Sequence, residues 1–382
     1  MLSVAFFISL FTQNIQNMPI LQQIINAIED IAPLSFQESY DNSGLIVGNN
    51  KMEVSSAIIS LDCTESVIDE AIEKKCQLVI AHHPIVFSGL KSITGKNYIE
   101  KVIIKAIKND IAIYAAHTNL DNVFVGVNNK IAEKLELKNI SLLEPKSQTL
   151  KKLYVYVPFS HAEIVRNALF DAGAGSIGNY TRCSYNTEGM GTYLPSEHAT
   201  PFIGAKNVLQ QEKEIKIEVI FSHQKEQNIL TAMQKAHPYE EIAFGIIKLE
   251  NRNQYAGAGM TGELENEMTE TDFLKLLKGR MKTDCVRHTA FLNKNIKKIA
   301  VCGGSGSFLL QKAIKQQADV LVTADFKYHQ FFDAEGKILI ADIGHYESEQ
   351  FTGEIFYDVL SKKFPNFALH LTSVNTNPIK YY

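Results

Sequence analysis

Leu78-Val79-Ile80-Ala81-His82-His83-Pro84 is the stretch on which the reading of the fold turns. Four apolar residues closed off by a proline read as a buried strand of a parallel sheet, and two adjacent histidines follow where that strand ends. In open α/β sheets, ligands bind just outside the carboxyl ends of the strands. Side chains alternate between faces along a strand, but the rule relaxes once the chain leaves it. His82 and His83 are therefore each able to face a different metal ion in one shared pocket. A single histidine after a strand is ordinarily a core or surface residue; the metal reading gains weight because two more strand ends carry ligand-type residues.

Working outward, residues 57–61 read as a buried strand ending at Asp62, and residues 64–75 as a helix with Thr64 as its N-cap. Upstream, Leu21, Ile24, Ile25, Ala27 and Ile28 fall at helical spacing. Tyr40-Asp41-Asn42-Ser43-Gly44-Leu45 reads as a turn feeding a short strand. Downstream, residues 98–108 read as a helix and 111–116 as a strand ending in His117-Thr118-Asn119-Leu120-Asp121. Strand and helix alternating at this spacing means βαβ units and a parallel sheet. The pattern returns from Lys298. A strand runs into Cys302-Gly303-Gly304-Ser305-Gly306-Ser307, a helix follows, a second strand leads to Asp325, and a third ends in Asp342-Ile343-Gly344-His345-Tyr346-Glu347-Ser348-Glu349.

Between these halves the order is strand 153–157, helix 161–172, a glycine-rich stretch 173–191, strand 216–221, helix 226–236 and strand 242–249, which is the ferredoxin-like arrangement. The expected organisation is α/β: an extension over residues 1–17, one metal-binding domain of two related βαβ halves over 18–150 and 251–382, and an inserted ferredoxin-like α+β domain over 151–250.

With 382 residues, 45% of them hydrophobic and 21% charged, the chain has the composition of an ordinary water-soluble protein with room for two or three cores. Its net charge of -4 and the lack of a basic stripe exclude nucleic acid as an expected partner. The five cysteines form no CxxC pair, which argues against a disulfide framework or a structural zinc knuckle and places the chain in a reducing cytoplasm. The apolar start, Met1 to Phe11, has no Lys or Arg ahead of Lys51 and is too short to span a bilayer, so neither an export signal nor a membrane span is expected.

Three strand ends supply His82, His83, Asp121, His345 and Glu349. Imidazole with carboxylate is the donor set of Zn, Mn, Fe or Ni sites. Glu349 follows His345 by four residues and shares its face if a helix begins there. Three imidazoles and two carboxylates exceed the needs of one tetrahedral ion and suit two divalent ions bridged by a carboxylate. His117, four residues before Asp121, is read either as a group supporting a ligand and acting as general acid or base, or as a histidine bonded within its own loop. Asp62, Asp325 and Glu347 are read as near the site or as helix caps. Gly303 to Ser307 is read as a tight turn or a phosphate-holding turn, and is neither a full GxGxxG nor a P-loop. His237, with Glu240 or Glu241, is read as a capped helix end or as a second metal or effector site.

Tyr40-Asp41-Asn42-Ser43-Gly44-Leu45, Ala81-His82-His83-Pro84, His117-Thr118-Asn119-Leu120-Asp121 and Gly344-His345-Tyr346-Glu347-Ser348-Glu349 together resemble the GTP cyclohydrolase I type 2 homologues, the Ngg1p-interacting-factor-like family, over nearly the whole chain from Met18. The resemblance implies a dinuclear metal site on His82, His83, Asp121, His345 and Glu349. It also implies a central insert similar to PII and CutA proteins, carried by Gly178-Asn179-Tyr180-Thr181-Arg182-Cys183 and His237-Pro238-Tyr239-Glu240-Glu241, and a ring-shaped homohexamer. The expected function is a hydrolase-type protein using a metal-activated water on a nucleotide or phosphorylated substrate, with GTP ring opening as the family label. The rival is a non-catalytic metal-binding regulator whose insert senses a small ligand.

Overall fold

The strand Leu78–Ala81 is buried at every residue because the parallel sheet around it is covered on both faces. This computed structural model describes residues 18–382; the expected extension over residues 1–17 lies outside the described residues. The chain divides into two compact units, one reaching to Glu144 and resuming at Ala258, the other Pro145–Gly257.

The first unit holds two mixed sheets. In one, the order is Gly44–Val47, Ala112–Ala115, Leu78–Ala81, Ser56–Ser60 and Ala368–Leu371. All neighbours are parallel except Gly44–Val47, which pairs antiparallel at the edge. Helices Glu65–Glu73 and Tyr98–Lys108 place Val67, Ile68, Ala71, Val102 and Ala106 in one core with Ile58, Val79 and Ile113. Helix Leu21–Ile31 buries the expected Leu21, Ile24, Ile25, Ala27 and Ile28, and its first turn is closed by the Gln23 side chain returning to the Ile20 N–H at 3.0 Å. Truncating the fully buried Ile24 to Ala would cost about 2–5 kcal/mol. Thr64 caps its helix by accepting from the Val67 N–H, as its position predicts.

The second sheet runs Arg287–His288, Leu339–Asp342, Val320–Ala324, Asn295–Ser305, Gly257–Thr269 and Lys138–Pro145. Its three central strands are parallel, and Arg287–His288 and Gly257–Thr269 flank them antiparallel. Two features depart from the sequence expectation. The segment around Phe326 to Phe332, which reads as a helix in the sequence, is a 3-10 helix, Tyr328–Ala334. The last strand, Ala368–Leu371, returns to the sheet built from the chain's beginning, pairing with Ser56–Ser60.

The unit Pro145–Gly257 follows the order strand Leu150–Pro158, helix Ala162–Asp171, strand Tyr185–Tyr193, strand Gln210–Ser222, helix Glu226–Ala236 and strand Phe244–Leu249. The antiparallel sheet runs Tyr185–Tyr193, Gln210–Ser222, Leu150–Pro158, Phe244–Leu249. Period-two alternation sends Leu153, Val155, Val157, Ile217, Val219 and Phe221 against the helices, where Val165, Leu169, Ile229 and Met233 complete a separate core. Among the described residues no helix is long and apolar enough to cross a membrane.

Candidate metal centre

Each candidate donor leaves its strand at the carboxyl end. After Ala81 the backbone N–H groups of His82 and His83 both reach the Leu61 carbonyl, at 3.1 and 2.9 Å, and Pro84 stops the pairing there. The strand Ala112–Ala115 leads to His117 and, one short helical turn later, Asp121. From the other sheet, Leu339–Asp342 leads through Gly344, at φ 93°, into the short helix His345–Glu349, which sets His345 and Glu349 on one face.

These donors converge. His83 Nε2 lies 2.9 Å from Glu349 Oε2, and His345 Nε2 lies 3.1 Å from the same oxygen. On the other side, His82 Nε2 is 3.8 Å from Glu349 Oε1 and 3.6 Å from Asp121 Oδ1. Two groups able to hold a metal ion therefore share Glu349: His82, Asp121 and Glu349, and His83, His345 and Glu349. A third such group is His82, His83 and His117. All five expected ligands and His117 come together.

The imidazoles are aimed by their other nitrogens. His82 Nδ1 bonds the Ala116 carbonyl at 2.8 Å, which requires Nδ1–H and leaves Nε2 as a bare lone pair. His83 Nδ1 bonds Asp62 at 2.7 Å, His345 Nδ1 bonds Asp325 at 2.6 Å, and His117 Nδ1 bonds Asp41 at 2.8 Å. A carboxylate behind an imidazole fixes its tautomer and raises its basicity. Asp62 and Asp325, whose positions also suit helix caps, serve here as such partners. Asp41 is not among the candidate site residues read from the sequence; its signal lies in the Tyr40-Asp41-Asn42-Ser43-Gly44-Leu45 turn.

The donor set fits a metal on the structure's own terms. His82 Nε2 and Asp121 Oδ1 are buried without a hydrogen-bond partner among the described residues. Buried polar atoms are rarely left so, and two acceptors facing one gap call for a cation. Without one the site must hold protons instead. Burial opposes charge on His345, but Glu349 and Asp325 beside it outweigh burial and push its pKa up to about 11. His83 rises to about 9 because Asp62 and Glu349 overcome the same opposition. Burial, reinforced by Glu349, pushes Asp121 up to about 8. Glu349 goes the other way: burial raises it, but the charge and hydrogen bond of His345 hold it well below the usual carboxylate range. Burial, with Asp121 and Glu349 nearby, keeps the Cys302 thiol protonated, so no thiolate joins the set.

The glycine-rich stretch is the end of a strand with a tight turn at Gly306, not a phosphate-holding turn. The strand continues through Ser305; the Gly303 N–H donates to Asn128 Oδ1 at 3.0 Å and the Gly304 N–H to Ser348 Oγ at 2.9 Å. Those two N–H groups are spent inside the protein rather than offered to a phosphate. Gly304 has another use: its φ is 60°, and a Cβ there would sit 2.5 Å from Glu349 Oε1. The shared carboxylate occupies the space a side chain would fill. His237 also resolves. Its Nε2 donates to the Tyr156 carbonyl at 2.9 Å and its Nδ1 accepts from the Tyr239 N–H at 3.1 Å, so it ends its helix and keeps no nitrogen for a metal.

Beside the centre lies a cavity of about 510 Å³. Tyr40, His117, Asn122, Asn128, Ser305 and Phe308 are among its lining residues, together with Asp121, His345 and Glu349.

The family model Duf34/NIF3 (NGG1p interacting factor 3) matches residues 19–378. A Bacillus subtilis protein named GTP cyclohydrolase 1 type 2 homolog is 39% identical over 366 residues, 94% of this chain and 98% of its own. The crystal structure of a Bacillus cereus protein related to NIF3 superposes with a TM-score of 0.85 at 37% identity, over 96% of this chain and 100% of that one. A Staphylococcus aureus structure superposes with a TM-score of 0.76 at 30% identity, over 96% of this chain and 99% of that one. Sequence and fold agree over almost the whole length, and the chain belongs to the Duf34/NIF3 (NGG1p interacting factor 3) family.

Proposed function

We propose that this protein is a dinuclear metal-binding hydrolase-type protein acting on a nucleotide or related phosphorylated substrate. The observation that carries this reading is Glu349, whose two carboxylate oxygens face two separate donor sets, His82 with Asp121 and His83 with His345. When bound, two divalent ions of the Zn, Mn, Fe or Ni class would supply Lewis-acid polarisation and a water of lowered pKa. The chain's residues do the rest. Asp62, Asp325 and the Ala116 carbonyl hold the Nε2 atoms of His83, His345 and His82 toward the centre. Asp41 is kept ionised because His117 and Thr118 overcome the effect of its burial, and it holds the His117 tautomer in turn. His117 is then placed to take or return a proton at Nε2 on the cavity side. Tyr40 and Phe308 offer aromatic surface to a base. Among the described residues no lysine or arginine lines the cavity, so a triphosphate finds neither of the usual phosphate-binding side chains there. GTP ring opening thus rests on a relative's name alone.

The strand order of Pro145–Gly257 supports reading it as a ferredoxin-like, PII/CutA-like insert between two related halves of the metal domain. Exposed Phe308, Tyr328 and Phe332 support self-association, for which a homohexamer is the proposed form. Free cysteines, with three of the five buried, suit a reducing cytoplasm. The test is metal content of wild type beside His83→Ala and Glu349→Ala, followed by assay of each loaded form against GTP and simple phosphoesters. About two metals per chain, lost in the variants, with turnover only by loaded wild type, is the expected result. Metal without turnover would favour the second reading, a metal-binding regulator, which the separate cavity in Pro145–Gly257 supports.

A further inference from the structure

The unit Pro145–Gly257 carries a cavity of about 540 Å³ that shares no residue with the metal centre. Its walls are aromatic and its charge is of one sign. Tyr193 and Tyr239 have ring centroids 6.3 Å apart, and Phe202 and Tyr239 6.4 Å apart, each pair tilted, and all three rings line the cavity. Among the described residues the charged members of the lining are Glu214, Glu240 and Glu241, and no lysine or arginine lines it. Among the described residues none of these carboxylates pairs with a lysine or arginine, although lysines elsewhere on the same sheet are paired, as Lys152 and Lys216 are with Glu218.

The carboxylates are positioned rather than left loose. The Tyr239 O–H donates to Glu214 Oε1 at 3.1 Å, and the Thr200 N–H donates to Glu240 Oε1 at 2.7 Å. Gly191 lines the cavity where a Cβ would collide with the Glu214 carboxylate. His237 braces Tyr239 from behind, edge to face at 5.0 Å, with both ring nitrogens bonded to backbone. A transition metal therefore lacks its imidazole here. Aromatic faces attract cations through the ring quadrupole, and the half-buried Glu214 carboxylate adds direct charge pairing. An anion would meet three like charges, and a neutral apolar ligand would leave them without counter-charge.

We propose that this cavity is a binding site for a small organic cation, a protonated amine on an apolar body, held between Tyr193, Phe202 and Tyr239 with its charge against the carboxylates of Glu214, Glu240 and Glu241. The proposal does not depend on the metal reading. It is tested by calorimetric titration and saturation-transfer NMR of the full chain with n-hexylammonium, n-hexanol and hexanoate, in wild type, Glu214→Gln, Tyr239→Leu and the double variant Glu240→Gln with Glu241→Gln. The expected result is saturable binding of hexylammonium at least about fivefold tighter than hexanol, with none of hexanoate. Glu214→Gln should weaken hexylammonium by about fivefold or more and leave hexanol unchanged, and Tyr239→Leu should weaken both. Equal binding of amine and alcohol, binding of hexanoate, or no hexylammonium binding to wild type overturns the proposal. Should Glu214→Gln fail to fold by circular dichroism, the exposed Glu240 and Glu241 carry the charge test, and an unchanged affinity in that double variant equally overturns it.

Discussion

The Nε2 atoms of His83 and His345 lie 3.2 Å apart although 262 residues separate them in the chain. Each ring gives its Nδ1–H to a carboxylate, Asp62 and Asp325 respectively, so two nitrogen lone pairs point into one gap beside Glu349. Such an arrangement holds only with a cation between the acceptors, either a metal ion or bound protons.

Metal loading should therefore release protons. With pKa values raised to about 9 for His83, about 11 for His345 and about 8 for Asp121, all three are protonated in the metal-free protein at pH 7. A metal must displace those protons, so apparent affinity rises with pH and levels off once the pH passes these values. Calorimetry of Zn²⁺ or Mn²⁺ binding in buffers of different ionisation enthalpy should show about two to three protons released per fully loaded chain. A count near zero at pH 7 would contradict the assignment.

The carboxylates behind the imidazoles should matter nearly as much as the donors. Asp62→Asn or Asp325→Asn keeps the shape but offers a neutral acceptor to the Nδ1–H, and metal affinity should fall about 10–100-fold. Competition against a fluorescent chelator reads this directly. Each variant should fold, since Asp62 and Asp325 are partly exposed.

Gly304→Ala probes the room left for Glu349. The new methyl group meets Oε1 at 2.5 Å on a backbone with φ of 60°. The expected loss is about 1–3 kcal/mol of stability from conformation alone, with weakened metal binding at the shared carboxylate. Chemical denaturation of the metal-free protein separates the first effect from the second.

Acid stability should depend on Glu70. This carboxylate on helix Glu65–Glu73 accepts from Lys74, from the Ser373 N–H and hydroxyl, and from the Thr372 hydroxyl, tying the end of the last strand to the first sheet's helix. Burial raises its pKa, but these partners outweigh burial and hold it at about 2. A depressed carboxylate stabilises the fold above its unfolded value, about 4.3, and the stabilisation disappears as the pH falls toward 2. After discounting for water at the carboxylate, Glu70→Gln should cost about 1–2 kcal/mol at pH 7 and almost nothing at pH 2. Urea titrations at the two pH values check the difference.

Local features were legible because they are written in local chemistry. Leu78 to Ala81 is an unbroken apolar run that only a doubly covered strand satisfies, and Thr64 stands where a helix needs a cap. The donors themselves, His82, His83, Asp121, His345 and Glu349, were evident from their type and their place at strand ends. Less was legible where pattern fails. The strand Gly257–Thr269 contains three glycines and a mixed burial pattern, so neither period stands out. Beyond Glu349 no element is read from the sequence, and the helix Thr352–Lys363 lies there.

The linear chain thus determined the alternation of strands and helices and the identity of the groups able to hold a metal. Only the tertiary structure decided that those groups meet. Which strand lies beside which is a matter of packing between distant segments, as when Ala368–Leu371 pairs with Ser56–Ser60. The same packing set the tautomers, because Asp41, Asp62 and Asp325 reach imidazoles 76, 21 and 20 residues away. It also fixed the roles of Gly304 and His237: Gly304 makes room for Glu349, and His237 turns inward to the Tyr156 carbonyl. Hydrogen bonds between distant residues follow from which segments pack together, and no local pattern encodes them.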